Sequence, residues 1–273
     1  MVTILRPSRA VFRFSGPEAQ KLLFDVVTGR VVAEAGPAVW FALLSPQGKI
    51  QAEGLAGFHD DAFWLDVDAS VGDAFLKRMK MYKLRAQVEI ADLRETHVVG
   101  WTDGAEAPGV AHRDERVGGM RFIVEKGADV AADEAPYLAA RIERGVLEQG
   151  ADYPADSIFP HDIGMDFLNG VDFKKGCYIG QEVVSRMQHR GTARRRPVIV
   201  SGLPDGAAPG APLLVGEREA GTIGTMSDGR AVAIVRLDRV ADAHAATFAG
   251  LPVELHLPAW ARYQLGEAAV AEE

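Results

Sequence analysis

Cys177 is the only cysteine in the chain, and it stands in the stretch Lys174-Lys175-Gly176-Cys177-Tyr178-Ile179-Gly180-Gln181-Glu182. A single thiol makes no internal disulfide, and the usual iron–sulfur cage takes four cysteines. What remains for it is nucleophilic attack on sulfur, or one bond to a metal whose other ligands come from elsewhere. The neighbours suit that use. A thiolate is favoured near ammonium groups and a helix N-terminus, and Lys174 and Lys175 precede Cys177 while "QEVVSRMQ" follows as a short helix. Gly176 and Gly180 allow a tight turn, so Cys177 is the expected reactive group, with Lys174 and Lys175 supplying positive charge and Gln181 and Glu182 adding directional hydrogen bonds.

Other candidates surround this stretch. His161 and His189 are possible helpers at iron, although a lone histidine in a loop is more often simply solvated. Arg186, Arg190, Arg194, Arg195 and Arg196 form the sharpest local charge feature. Such a strip is either a solvated face or a clamp for carboxylates. RNA ranks third, because no aromatics are interleaved for base stacking.

The elements that position these residues alternate between strands and helices. "RAVFRFSG" alternates like a half-buried strand, and Ser15 with Glu18 has the spacing of a capping box opening a helix. Strands are expected from 38 to 67, around the turn "SPQGK". A second helix is expected after Ser70, with Asp73 as an acid of its first turn. Short strands follow at 85–91, 96–101 and 119–125, with a mobile surface loop between the last two. A third helix is expected over 134–149, stopped by Gly150, and residues 151–180 read as a long functional loop. After Arg196, short strands punctuated by Gly, Pro and Asp suggest a separate all-β module. The expected domains are therefore 1–195, a mixed body of two subdomains, and 196–273, a barrel with a frayed tail.

Bulk properties narrow the classes. The net charge of −8 argues against broad coating of nucleic acid or anionic lipid, and no apolar run has the length of a membrane helix. Residues 1–17 contain Arg6, Arg9 and Arg13 and no acid, as transit peptides do, but the strand pattern there indicates that the domain has already begun. With one cysteine and no disulfide framework, a cytoplasmic location is expected.

"KGCYIGQE" resembles the signature of the YgfZ branch of the folate-binding aminomethyltransferase (glycine-cleavage T-protein) superfamily. "FPHDIGMDFLNGVDF", "SPQGKIQAE", "ARIERG" and "SGPEAQKLL" resemble its other segments, and the likeness runs over roughly residues 5–240. The resemblance implies an α+β body around a central folate cavity with a C-terminal β-barrel. It also implies a tetrahydrofolate-binding factor that assists iron–sulfur cluster assembly or repair and indirectly supports tRNA methylthiolation. Partners would be iron–sulfur assembly proteins or client enzymes. Carried over by position, Lys175 and Cys177 are the reactive residues, and Asp162, Tyr178, Gly180, Gln181, Glu182 and Arg186 are the folate contacts. Where the family often has Glu and then Asn, this chain has Asp162 and Gly164. The alternative is a folate-dependent aminomethyltransferase or demethylase of a small amine. Against it, Asp68 stands where that reaction's pattern has Asn, and helix capping already explains Asp73.

Overall fold

The computed structural model describes residues 2–128 and 133–267. The expected frayed end beyond residue 267 lies outside them. Among the described residues the chain builds three antiparallel sheets and four α-helices. The strands of the body are β1 (Thr3–Arg6), β2 (Arg9–Ser15), β3 (Val39–Leu44), β4 (Ile50–His59), β5 (Ala62–Asp68), β6 (Glu89–Asp92), β7 (His97–Thr102), β8 (Val110–Arg113) and β9 (Met120–Glu125). Its helices are α1 (Ala19–Val26), α2 (Gly72–Lys83), α3 (Ala135–Arg144) and α4 (Gln181–Arg190). The C-terminal part contributes β10 (Arg195–Ser201), β11 (Pro212–Val215), β12 (Arg218–Ser227), β13 (Arg230–Arg236), β14 (Ala246–Phe248), β15 (Leu251–Pro252) and β16 (Glu254–His256).

One body sheet has the order β3-β4-β5-β2-β6 and the other β1-β7-β9-β8. Strand alternation decides what each face meets. Phe12 and Phe14 of β2 point to a core shared with Leu22, Leu23 and Val26 of α1 and Phe75 and Met79 of α2. Val11, on the opposite face, packs with Val99 and Ile123 of the second sheet. The seven-stranded sheet, ordered β15-β14-β11-β12-β13-β10-β16, encloses its own core of Val198, Leu213, Ile223, Val235 and Leu255. A third apolar cluster joins this sheet to the body through Trp40, Leu44, Ile142, Tyr153, Val184, Ile199 and Val232. The α+β body and β-barrel end are thus as expected.

Several local expectations are corrected. Ser15 remains in β2, the chain turns at Gly16 (φ +106°), and the Glu18 carboxylate accepts from the Gln87 amide at 2.6 Å rather than closing a capping box. Asp68, not Ser70, caps the turn before α2 by accepting from the Ser70 amide at 2.9 Å. The third helix ends at Arg144, because Gly145 adopts the left-handed conformation that terminates helices. The expected surface loop after β7 instead holds strand β8 and a buried ion pair between Asp114 and Arg116.

Where the three sheets meet, the interior is ionic. Arg6 grips Glu148 through two bonds of 3.1 and 2.7 Å, and Arg9 meets Asp66 at 2.7 Å. Arg121 also bonds Asp66, while Arg141 bonds Asp152 and the Thr225 hydroxyl of β12. Glu53 accepts from the Trp40 indole at 2.6 Å and exchanges two 3.1 Å bonds with Gln149. Burial alone would raise the Glu148 carboxyl, but Arg6, Arg141 and Arg9 outweigh it and hold it well below its ordinary value. Burial opposes ionisation of Asp66 and Asp114 too, and their arginines again win.

Removing one partner from such a group strands a buried charge, which costs about 3–5 kcal/mol. Glu148→Ala is expected to lower unfolding free energy by about that amount in a denaturant titration. Because these carboxyls are depressed in the folded state, their contribution is full above the unfolded values of 3.8 to 4.5. Stability is therefore expected to fall as the pH drops below that range, and to fall less steeply in Glu148→Ala.

Candidate functional site

Cys177 is exposed on the turn that leads into α4. Two anchors fix the turn. Gly180 has φ +80°, and a Cβ there would meet the Ser45 carbonyl at 2.6 Å and Gly48 Cα at 3.1 Å. The start of α4 therefore sits directly on the β3–β4 hairpin turn, where Gly48 in turn faces Val183. Gly176 has no such constraint: its nearest neighbour would be Phe24 at 3.8 Å. Only one of the two glycines is required by the geometry.

Lys175 is the second anchor. It is 8% exposed, and its ammonium donates to the carbonyls of Phe24 (2.6 Å), Val27 and Gly29 (3.2 Å). Those carbonyls lie at and just beyond the end of α1, where a helix has unpaired acceptors and a partial negative charge. All three ammonium hydrogens are thereby engaged. The same nitrogen lies 4.9 Å from the Phe24 ring centre and 5.1 Å from that of Tyr178. Burial pushes the lysine down to about 8, opposed by Asp172 and Asp25. Lys175 thus ties the signature turn to α1, and its donors face backbone carbonyls rather than Cys177.

The expected folate contacts do not assemble around the thiol. Asp162 is buried, accepts from the Phe159 amide at 3.0 Å and pairs with Arg195 at 2.5 Å. Burial raises its carboxyl, with Arg195 pulling the other way. Gln181 is half-buried at the start of α4, while Glu182 and Arg186 are exposed and pair with each other at 2.8 Å. Tyr178 is buried with a hydroxyl that has no partner, and burial pushes its phenol up. Asp73 is exposed and ion-paired with Arg94 at 2.6 Å. Gly164, in the position of the missing Asn, adopts φ +77° and faces the Trp260 ring.

The arginine strip also divides. Arg196 is buried, bonding the His161 carbonyl and Asp166 at 2.8 Å each, and stacks over Phe167. Arg194 is exposed, and Arg195 is held by Asp162. His161 is fully buried against Gln188, and burial lowers it toward the neutral imidazole. His189 is exposed on α4. Among the described residues, no group of three or more His, Cys, Asp or Glu side chains is arranged to hold a metal ion.

The ionic centre holds a set of buried polar atoms that make no hydrogen bond. Arg6 Nε, Arg9 Nη1, Arg121 Nη1 and Arg141 Nε are such donors, although Arg6, Arg9 and Arg141 keep the carboxylates of Glu134, Glu53 and Glu148 at 3.8, 3.5 and 3.9 Å, and Gln51 Oε1 is a buried acceptor without a donor. Gln51 is joined to this centre through Gln149, which bonds its carbonyl at 3.2 Å. A pteridine edge carries both donors and acceptors, which matches such a mixed set. Sequence reasoning missed these residues. The available signal was a charged residue inside an otherwise apolar strand, as with Glu53 and Asp66.

Comparison with known proteins agrees with this architecture. Residues 194–263 match the CAF17 C-terminal beta-barrel domain. The mouse protein "Iron-sulfur cluster assembly factor IBA57, mitochondrial" is 30% identical over 249 residues, covering 76% of this chain and 69% of that protein. The chain belongs to the CAF17/IBA57 family. A homologue of the same name from Mycosarcoma maydis is 31% identical over 76% of this chain, which spans 59% of that protein. The chain spans little more than half the length of several of the curated relatives it matches. A solved aminomethyltransferase of the glycine cleavage system from Bartonella henselae shares the fold, with a TM-score of 0.74 at 14% identity over 96% of this chain and 87% of that one. YgfZ is a related branch, but the family matched is IBA57. The expected cytoplasmic location is overturned, because these family members are mitochondrial by name.

The geometry of the turn separates its residues experimentally. Lys175→Met leaves three carbonyls without their donor and is expected to lower stability by about 1–3 kcal/mol. Gly180→Ala is expected to cost at least about 1 kcal/mol, from its positive φ and the Ser45 contact. Exposed Cys177→Ser and open Gly176→Ala are expected to stay within about 0.5 kcal/mol of wild type. Urea unfolding of the four variants checks the pattern.

Proposed function

We propose that this chain assists the assembly of iron–sulfur clusters, with Cys177 as the residue that contacts the cluster or its sulfur. The observation that supports this most is an exposed thiol on a turn fixed from beneath by Lys175 and Gly180. The relatives named as iron–sulfur cluster assembly factors point the same way.

A cluster is here a substrate in transit. Iron in such clusters is commonly held by four thiolates, and Cys177 offers one. A carrier or client protein would supply the others, so that the cluster bridges two chains and leaves with one of them. Lys175 acts as a positioning residue, holding the turn to α1 and leaving the thiol free to meet a partner. Gln181, Glu182 and Arg186 line the exposed beginning of α4 and would meet that partner's surface.

We further infer that tetrahydrofolate binds in the ionic centre, held by N–H groups of Arg9, Arg121 and Arg141 that make no hydrogen bond within the chain, and by Gln51. When bound, it would supply a reduced pteridine able to carry a one-carbon unit. These side chains would orient the ring and exclude water from it. Tyr178 and Asp162, expected to touch folate, instead support the turn and the segment before it. Support of tRNA methylthiolation would follow wherever the enzyme performing it is a client.

Cells lacking the endogenous family member provide the test. Activity of a cluster-dependent enzyme is expected to return with wild type and with Glu89→Gln, an exposed change on β6, but to fall at least tenfold with Cys177→Ala. Full rescue by Cys177→Ala would end the proposal. For the folate reading, calorimetric titration with tetrahydrofolate is expected to show weaker binding in Gln51→Leu than in wild type. Equal affinities would remove folate from that position.

A further inference from the structure

A cavity of about 590 Å³ opens between the loop after α3 and the barrel wall. Tyr153 and Ile158 line it from the body, and Ile223 and Ile234 from strands β12 and β13. Arg195, Arg236 and Arg239 stand around it. Neither Cys177 nor any residue of the signature turn takes part. An apolar floor with a few convergent charged groups is the usual make-up of a small-molecule site.

The electrostatics favour an anion, although carboxylates are present. Arg195 gives one N–H to Asp162, Arg236 gives two to Asp238 at 3.1 and 2.7 Å, and Arg239 gives one to the Glu219 carbonyl. A guanidinium has five N–H groups in a rigid fork, so most donors of the three remain for a ligand. Of the acids lining the cavity, Asp152 is neutralised. Its Oδ1 accepts from the Thr225 amide at 2.6 Å, and its Oδ2 accepts from the Glu148 amide at 2.7 Å and from Arg141. Glu219 is exposed and stays as an opposing charge at the rim. Tyr153 is 4% exposed, and its hydroxyl is buried without a partner. That hydroxyl is sealed from solvent among Glu53, Asp152, Arg9 and Glu148, so it does not open onto the cavity.

We propose that this groove binds a small organic molecule bearing oxyanion groups, carboxylate or phosphate, on an apolar frame. The arginine forks take the oxyanions in the paired geometry that guanidinium offers. Ile158, Ile223 and Ile234 receive the frame. Since one wall belongs to the body and the other to the barrel, occupancy ties the two together and raises the unfolding temperature. The proposal is independent of the role of Cys177 and of what the ionic centre holds.

Calorimetric titration of the full chain at low ionic strength tests it, with isophthalate as the dicarboxylate probe and phenyl phosphate as the phosphate probe. The tighter of the two names the source of the oxyanion. At least one is expected to bind wild type, to bind the double variant Arg236→Gln/Arg239→Gln at least about tenfold more weakly, and to lose affinity in high salt. Exposed Glu219→Gln is expected to bind several-fold more tightly, a sign that damage to the fold would not produce. Absence of binding by both probes overturns the proposal, as does wild-type affinity in the double variant or in Glu219→Gln.

Discussion

The architecture depends on a buried ionic joint where three sheets converge. Arg6 comes from β1, Arg9 from β2 and Arg121 from β9, while Arg141 comes from α3. Their carboxylate partners come from β5 and from the segment after α3. An ion out of water loses several kcal/mol of hydration, and its partner repays that only when the geometry is good. The sheets therefore have little freedom to slide, since a small displacement would break several pairs together. Asp152 extends the joint to the barrel, because the same carboxylate accepts from Arg141, the Glu148 amide and the Thr225 amide. An apolar seam would hold the sheets as firmly while tolerating more registers.

The joint is not saturated, and that sets it apart from a purely structural network. Four arginine nitrogens and one glutamine oxygen remain buried without a hydrogen bond, three of the nitrogens having only a carboxylate 3.5 to 3.9 Å away. Native interiors satisfy nearly all such groups, with ordered water or ligand where protein atoms do not reach. An interior with unmet donors is ready to receive a polar molecule, as a hydrocarbon core is not. The signature turn treats its buried cation differently. There Lys175 has all three hydrogens engaged, and the sulfur itself is left outside.

Legibility in the sequence followed the range of the interaction. Local patterns located the strand at β2, the helices and the β-rich end, because alternation and glycine spacing act over a few residues. Boundaries failed where two stops competed. Gly145 and Gly150 both follow α3 with positive φ, and the helix ends at the first, which lies against Pro258. The capping box at Ser15 failed because Gly16 turns the chain before the helix begins. At the site, the single cysteine was legible from its neighbours, but the destination of Lys175 was not. Its acceptors lie about 150 positions earlier in the chain, and no local pattern reports a contact of that separation. The arginine strip misled for the same reason: adjacent in sequence, Arg195 and Arg196 point to different acids in different surroundings.

Taken together, these placements argue for division of labour rather than a single active centre. Cations that could have primed the thiol are committed to structure, Lys175 to α1 and Arg196 to Asp166. Neither of these two cations is therefore directed at the thiol, and Lys174, three positions before it, is exposed. A sulfur presented on a rigid turn, at the start of a helix whose own surface is exposed, is instead suited to complete a coordination sphere that another molecule brings. The rigidity matters because a bridging ligand held on a loose loop would lose much of its binding in ordering the loop. Fixing Cys177 through Gly180 and Lys175 meets that cost when the chain folds, before any partner arrives.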